Sequence, residues 1–374
     1  MKKLLALALS LSLALGMLAG CSSSGGGTAS TPPSQAPENS NAPQQSEAPS
    51  QGGSSGGTIQ INKEDLKVAL VLPGSINDQG WSTSAYLGLQ AIEEDYGCDT
   101  NYMENVAVAA YEEAFRNYAS AGYNVIFGHG SEFFDAAEIV GAEFPDVAFI
   151  VTSTDRFAAP NVASLNTLPT EMGVLGGVCA AYASKSGVIG AIGGSSLVSI
   201  VGAVNAYSAA ALMTKPDLKV LTNMTGDDFD AAKCKEVAQA MIDQGADVIF
   251  YDADAAGLGA LEACEENGIL AIPAIADASA LAPNTVVMSA CNAIGQAMDA
   301  AVGMVVEGSF EGKFYPMGCD TGCVFYTKND SVWDANMSDE GKAAVEDAYQ
   351  KMASKELDAQ KIIDDYLPDA IRVS

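Results

Sequence analysis

The stretch "GSINDQGWS", Gly74 to Ser82, places an amide, a carboxylate and an indole within five residues: Asn77, Asp78 and Trp81. An amide and a carboxylate can pair with donors and acceptors on a ring's edge, and an indole can stack on its face. That chemistry can hold a flat molecule. Asn77 or Asp78 could equally cap a helix beginning near Trp81, and Trp81 could be a core anchor. Further polar residues stand after other apolar runs. His129 lies between glycines in "NVIFGHG", Asp252 ends "DVIFYD", Asp277 follows "ILAIPAI", and Asn292 sits in "SACNAI". A compact turn alone would also explain His129, and Asp277 could pair across a hinge.

Other chemistries find little support. One histidine in 374 residues leaves little room for a His-based triad or a zinc cluster. "GGSSL" is no nucleophile elbow. Asp252 and Asp254 suggest a calcium loop, but its fifth position is Ala256 and its twelfth Ala263, which rules it out. "GSFEGKF" has the wrong spacing for a phosphate loop. A carboxylate-only enzyme mechanism stays open. With 47 acidic residues against 18 basic, the net charge of −29 argues against nucleic acid and acidic membrane surfaces as partners.

The elements that must position these residues are legible in the periodicity. Short apolar runs alternate with amphipathic ones: "KVALVL" then "WSTSAYLGLQAIEEDYG", "YNVIFG" then "SEFFDAAEIVGAEF", and again through "GVIGAIGG", "DVIFYDA" and "ILAIPAIAD". Strand and helix repeated in this way imply an α/β fold with parallel sheets covered by helices on both faces. Right-handed crossovers put the strand C-termini on one edge, where ligands bind. Two sets of strand ends, one per half, make two facing rims and a cleft.

The N-terminus carries its own signals. Lys2 and Lys3, a short apolar stretch and Leu18-Ala19-Gly20 before Cys21 describe a lipoprotein signal over residues 1–20, with Cys21 diacylated. The apolar part is shorter than the roughly 20 residues a membrane-spanning helix needs. The Ser, Gly and Pro-rich residues after it, within 21–65, read as a disordered tether. The remaining cysteines, Cys98, Cys179, Cys234, Cys264, Cys291, Cys319 and Cys323, are a poor disulfide framework, although Cys319 and Cys323 are close enough to pair.

Taken in order, "LVLPGSINDQGWSTSAYLGLQ", "AGYNVIFGHG", "FPDVAFIV", "PDLKVLTNMTG", "AQAMIDQGADVIF", "GLGALEACEENGI" and "LAPNTVVMSACNAIGQAMDAAV" resemble the basic membrane protein (BMP) family of ABC-transporter substrate-binding lipoproteins. The resemblance implies a periplasmic-binding-protein type I fold, two doubly wound Rossmann-like lobes joined by a hinge. It implies a purine nucleoside or base as ligand and delivery to an ABC permease and ATPase; no cofactor and no metal are expected. It also implies a place on the outer face of the bacterial cytoplasmic membrane, held by Cys21. Asn77, Asp78, Trp81, His129, Asp252, Asp277 and Asn292 are the ligand-binding candidates. Two departures bear on the ligand. The first aspartate of the family's Val-Asp-x-Asp segment falls on Ile275, leaving Asp277, and an expected lysine falls on Asn292. A free base or another small ring therefore stands beside a nucleoside. The rival readings are a sensor lipoprotein and a secreted nucleoside-processing enzyme. The lobes are expected at 66–166 with 290–318, and at 167–289 with 319–374.

Overall fold

In the computed structural model, residues 58–78 and 80–374 are described; the expected signal, Cys21 and most of the tether lie outside the described residues. Along the chain the strands are β1 (Lys67–Val71), β2 (Asp99–Met103), β3 (Val125–Gly128), β4 (Ala148–Thr152) and β5 (Val162–Thr167). There follow β6 (Val188–Gly193), β7 (Lys219–Met224), β8 (Val248–Asp252), β9 (Leu270–Ile275) and β10 (Met288–Asn292), and finally β11 (Phe314–Met317) and β12 (Val324–Lys328). They form two six-stranded sheets, ordered β11-β5-β4-β3-β1-β2 and β12-β10-β9-β8-β6-β7. Every ladder is parallel except that of β12 on β10. The α/β architecture expected from the periodicity is the one found.

Each sheet is buried on both faces, which is why its strands read as continuous apolar runs. Side chains alternate along β1. Val68 and Leu70 join Phe127 and Ile150 in one apolar layer, while Ala69 and Val71 join Ile126 and Phe149 in the other. The first layer is roofed by the helix Ile294–Glu307, whose Met298 and Val302 lie within it. That helix crosses the helix Trp81–Tyr96 at two glycines. A Cβ on either Gly88 or Gly295 would collide with the other's Cα, so the backbones meet only because both lack one.

Register brings the strand ends level. Val71 stands opposite Met103 and Gly128, and Gly128 opposite Val151. In the second sheet Gly193 stands opposite Met224 and Asp252. The loops after β1, β3 and β4 therefore share one rim, and those after β6, β7 and β8 share another.

The chain passes between sheets three times, at Leu168, at Ala293 and through Gly318–Cys323. These crossings are tied together: the Leu168 N–H donates to the Met317 carbonyl at 3.2 Å, and the Ala293 N–H to the Cys323 carbonyl at 2.7 Å. The Glu171 carboxylate takes the Cys319 N–H at 2.6 Å. β10, at 288–292, belongs to the second sheet, so the return into the first begins near Ala293 and not at residue 290. Ordered pairing also begins ahead of Leu66, with Ile59 bridging Phe310. Cys319 and Cys323 are both buried and unpaired thiols.

Candidate functional site

A cavity of about 750 Å³ opens between the two rims, a size suited to a small organic ligand. Its first-lobe wall is built from the loop after β1. There the Asp78 carboxylate accepts the backbone N–H groups of Gly80, Ser82 and Thr83 at 2.9, 2.7 and 3.0 Å, and the Thr83 hydroxyl at 2.7 Å. Burial pushes the Asp78 carboxyl up, but these bonds outweigh it and hold it below its ordinary value. Both oxygens are committed to the start of the helix Trp81–Tyr96, whose first free N–H groups need partners. Asp78 is thus a capping residue and does not line the cavity. Asn77 is exposed, gives its N–H to the Ser75 hydroxyl at 3.2 Å, and is likewise absent from the lining.

That cap fixes Trp81, which does line the cavity. Its indole stacks on the His129 imidazole with centroids 4.0 Å apart and planes 20° apart. His129 is wholly buried, which corrects its expected role: it stands behind the ring and not in the cleft. Its Nε2 lies 3.1 Å from the Trp81 carbonyl oxygen, an acceptor, so Nε2 carries the proton. Nδ1, 3.0 Å from Thr152 Oγ1, then accepts the hydroxyl proton. Burial drives the imidazole pKa down to about 3 against the opposing pull of the Trp81 carbonyl and the Asp78 charge. His129 is a neutral plate bonded at both nitrogens. One face of Trp81 is covered by it, and the residue also lines the cleft.

The second-lobe wall is acidic. Asp252 closes β8 and is only 5 % exposed, yet its carboxylate has no hydrogen bond or ion pair within the described residues. Burial, with Asp254 and then Asp228 nearby, raises it to about 7. Asp254, at φ 45° in the following turn, is raised to about 6 by burial and by Asp228 and Asp78. Its carboxylate lies against the first lobe's loop, where a Cβ on Gly80 would stand 2.9 Å from its Oδ1, and the nearby Trp81 N–H partly offsets the upward shift. The two lobes therefore approach each other closely beside the ring. Asp228 takes the Ser195 N–H at 2.8 Å. The next residue, Phe229, is 77 % exposed at the mouth of the same cavity, as is Val198 at 89 %.

Of the remaining candidates, Asn292 lines the cavity, and its Oδ1 is buried without a partner. Asp277 does not line it. This exposed residue takes the Ser279 N–H at 2.9 Å and the Ser289 hydroxyl at 3.4 Å, a turn-stabilising arrangement. Ile275, with φ 78°, occupies the lining in its stead. The structure thus gathers Trp81, Asp252 and Asn292 from the expected set, and adds Asp228, Phe229, Asp254 and Glu132. The missed signal was "DDFD", an aromatic among acids two residues beyond a strand.

The family described as ABC transporter substrate-binding protein PnrA-like matches residues 65–361. The transcriptional activator protein med of Bacillus subtilis (strain 168) is 29% identical over 69% of this chain and 80% of its own length. A purine-binding protein of Brucella abortus (strain 2308) is 28% identical over 79% of this chain and 83% of its own. Among solved structures, an ABC transporter solute-binding protein of Aeropyrum pernix K1 superposes with a TM-score of 0.70 at 21% identity, covering 78% of this chain and 92% of that one. At that identity the likeness speaks to fold, and the fold is that of the type I solute-binding proteins.

Proposed function

The chain belongs to the family of PnrA-like ABC transporter substrate-binding proteins, and from that premise we propose that it captures a small heteroaromatic ligand between its lobes and delivers it to a membrane permease. A purine nucleoside or nucleobase is the ligand class this reading favours, and Cys21 is the lipid anchor it assigns. The observation that carries it is the backed indole. Trp81 is backed on one face by His129 and lines a cavity of ligand size. A ring inserted there would gain about 1–3 kcal/mol from stacking. Phe229, exposed on the opposite lobe, supplies a second apolar surface as the lobes close. Asn292 Oδ1 is an acceptor free to read a ring N–H.

The role is binding without chemistry. Trp81 and Phe229 enclose, the carboxylates and Asn292 orient, and no residue of the set is poised as an activated nucleophile. Calorimetric titration of the protein with purines and purine nucleosides, followed by chromatography of the recovered ligand, tests this reading. Saturable 1:1 binding with intact ligand is expected. Free base and ribose above a no-protein control would replace it with an enzyme. The likeness to a transcriptional activator favours a second reading, in which occupancy is sensed; co-purification with a permease and ATPase separates that reading from import.

A further inference from the structure

The cavity has an unbalanced charge. Five carboxylates line it: Glu132 and Asp155 from the first lobe, and Asp228, Asp252 and Asp254 from the second, while no lysine or arginine is among the lining residues. Asp228 takes a backbone N–H, and Asp254 packs against Gly80 of the first lobe. Asp252 is not: it is 95 % buried, unpartnered, and faces the cavity. A buried carboxylate without a partner is costly, and proteins retain such groups where a ligand completes them. Among the described residues no group of three or more His, Cys, Asp or Glu is arranged to hold a metal ion.

We propose that the ring taken by this cleft carries a positive charge: a cationic heteroaromatic, such as an N-methylated purine nucleoside, in preference to its neutral parent. The inference rests on the reading of the cleft as a ring-binding site and goes beyond it by assigning the charge. Two features of the wall act on such a ring together. The face of the Trp81 indole attracts a cation more strongly than a neutral ring, because its quadrupole presents negative charge. Asp252 supplies the counter-ion at the end of β8. A neutral nucleoside could satisfy one or two carboxylates with its hydroxyls, but it would leave the summed field of the others unanswered. The protein's overall charge of −29 acts in the same direction by steering cations inward.

The test compares two matched pairs by calorimetric titration of the whole protein at neutral pH: adenosine against 1-methyladenosine, which is protonated there, and nicotinamide against 1-methylnicotinamide, a permanent cation. At least tenfold tighter binding of the charged member in either pair is expected, with a gap that narrows in high salt. Asp252→Asn should collapse the preference while melting no earlier than the parent protein. Charged and neutral members binding alike in both pairs, or a preference untouched by Asp252→Asn, would overturn the assignment and leave a neutral-ring site standing. If neither these four compounds nor a purine panel binds, the ring-binding reading goes as well.

Discussion

Replacing Asp252 with asparagine removes a charge while keeping the side chain's shape, so it isolates what that charge costs the empty protein. The folded carboxyl titrates at about 7, against an ordinary 3.8. At roughly 1.4 kcal/mol per pH unit, that gap amounts to about 4 kcal/mol. Burial is its first cause; repulsion from Asp254 and Asp228 adds to it and eases whenever one of the three is neutral. We therefore predict that Asp252→Asn stabilises the ligand-free protein by about 2–4 kcal/mol at pH 8. A raised carboxyl pKa favours folding below the unfolded value and loses that contribution as pH climbs through the folded one. The advantage of the variant should accordingly be near zero around pH 4, grow between about 4 and 7, and level off above. Urea unfolding of both proteins at several pH values, followed by tryptophan fluorescence, reads this directly. A gap that does not change with pH, or a variant less stable at pH 8, would show that Asp252 has a stabilising partner and would refute the reasoning. The same charge that weakens the empty fold is the one assigned to the ligand, so saturating 1-methyladenosine should reverse the order of stabilities.

Trp81→Ala should weaken ligand binding 5- to 150-fold, from about 1–3 kcal/mol of lost stacking, and Trp81→Phe should recover much of it; titration with parallel melting curves checks both. A Trp81→Ala protein that binds normally would sink the stacking role. Phe229→Ala should weaken binding several-fold and leave the melting temperature unchanged, because the side chain is 77 % exposed without ligand; an early-melting variant would contradict this. Asp254→Ala removes the side chain that meets Gly80 of the first lobe beside Trp81. Small-angle scattering of the ligand-free variant should show a larger radius of gyration than the parent, and identical curves would mean the crossings alone hold the lobes.

Much of the frame was legible because burial on both sheet faces writes itself as apolar runs, and because level strand ends gather the loops after them. Trp81 was legible for the same reason: a wide ring after a strand has either a core or a cleft to occupy. What could not be read was the commitment of polar side chains. Asp78 suits a ring edge and a helix cap equally well, and only the positions of the Gly80, Ser82 and Thr83 N–H groups decide for the cap. His129 between two glycines suited a ligand contact or a compact turn, but depth is not a property of neighbours in sequence, and the imidazole lies beneath the indole. Asp277 sits two residues beyond Ile275, whose positive φ turns the chain and exchanges which side chain faces the cleft. Phe229 was overlooked because an aromatic in an acidic loop fits neither strand nor helix periodicity.

The three crossings at Leu168, Ala293 and Gly318–Cys323 also dictate a sequence of events in time. A chain made from its N-terminus presents β1 to β5 long before the helix Ile294–Glu307 and β11 exist, although these roof that sheet and pair with its edge. Until they arrive, Val68, Leu70, Phe127, Ile150 and Leu165 form an uncovered apolar face, of the kind that drives aggregation. The second sheet meets its helices Pro169–Ala183 and Val198–Thr214 close to its own strands, so its early contacts are local and fast by comparison. The connectivity that links the two lobes thus leaves the first lobe open until most of the second has been made, with only β12 and the closing helices of the second lobe still to follow. A chain ending after Thr167 should be insoluble, while one ending after Met317 should already fold its first sheet.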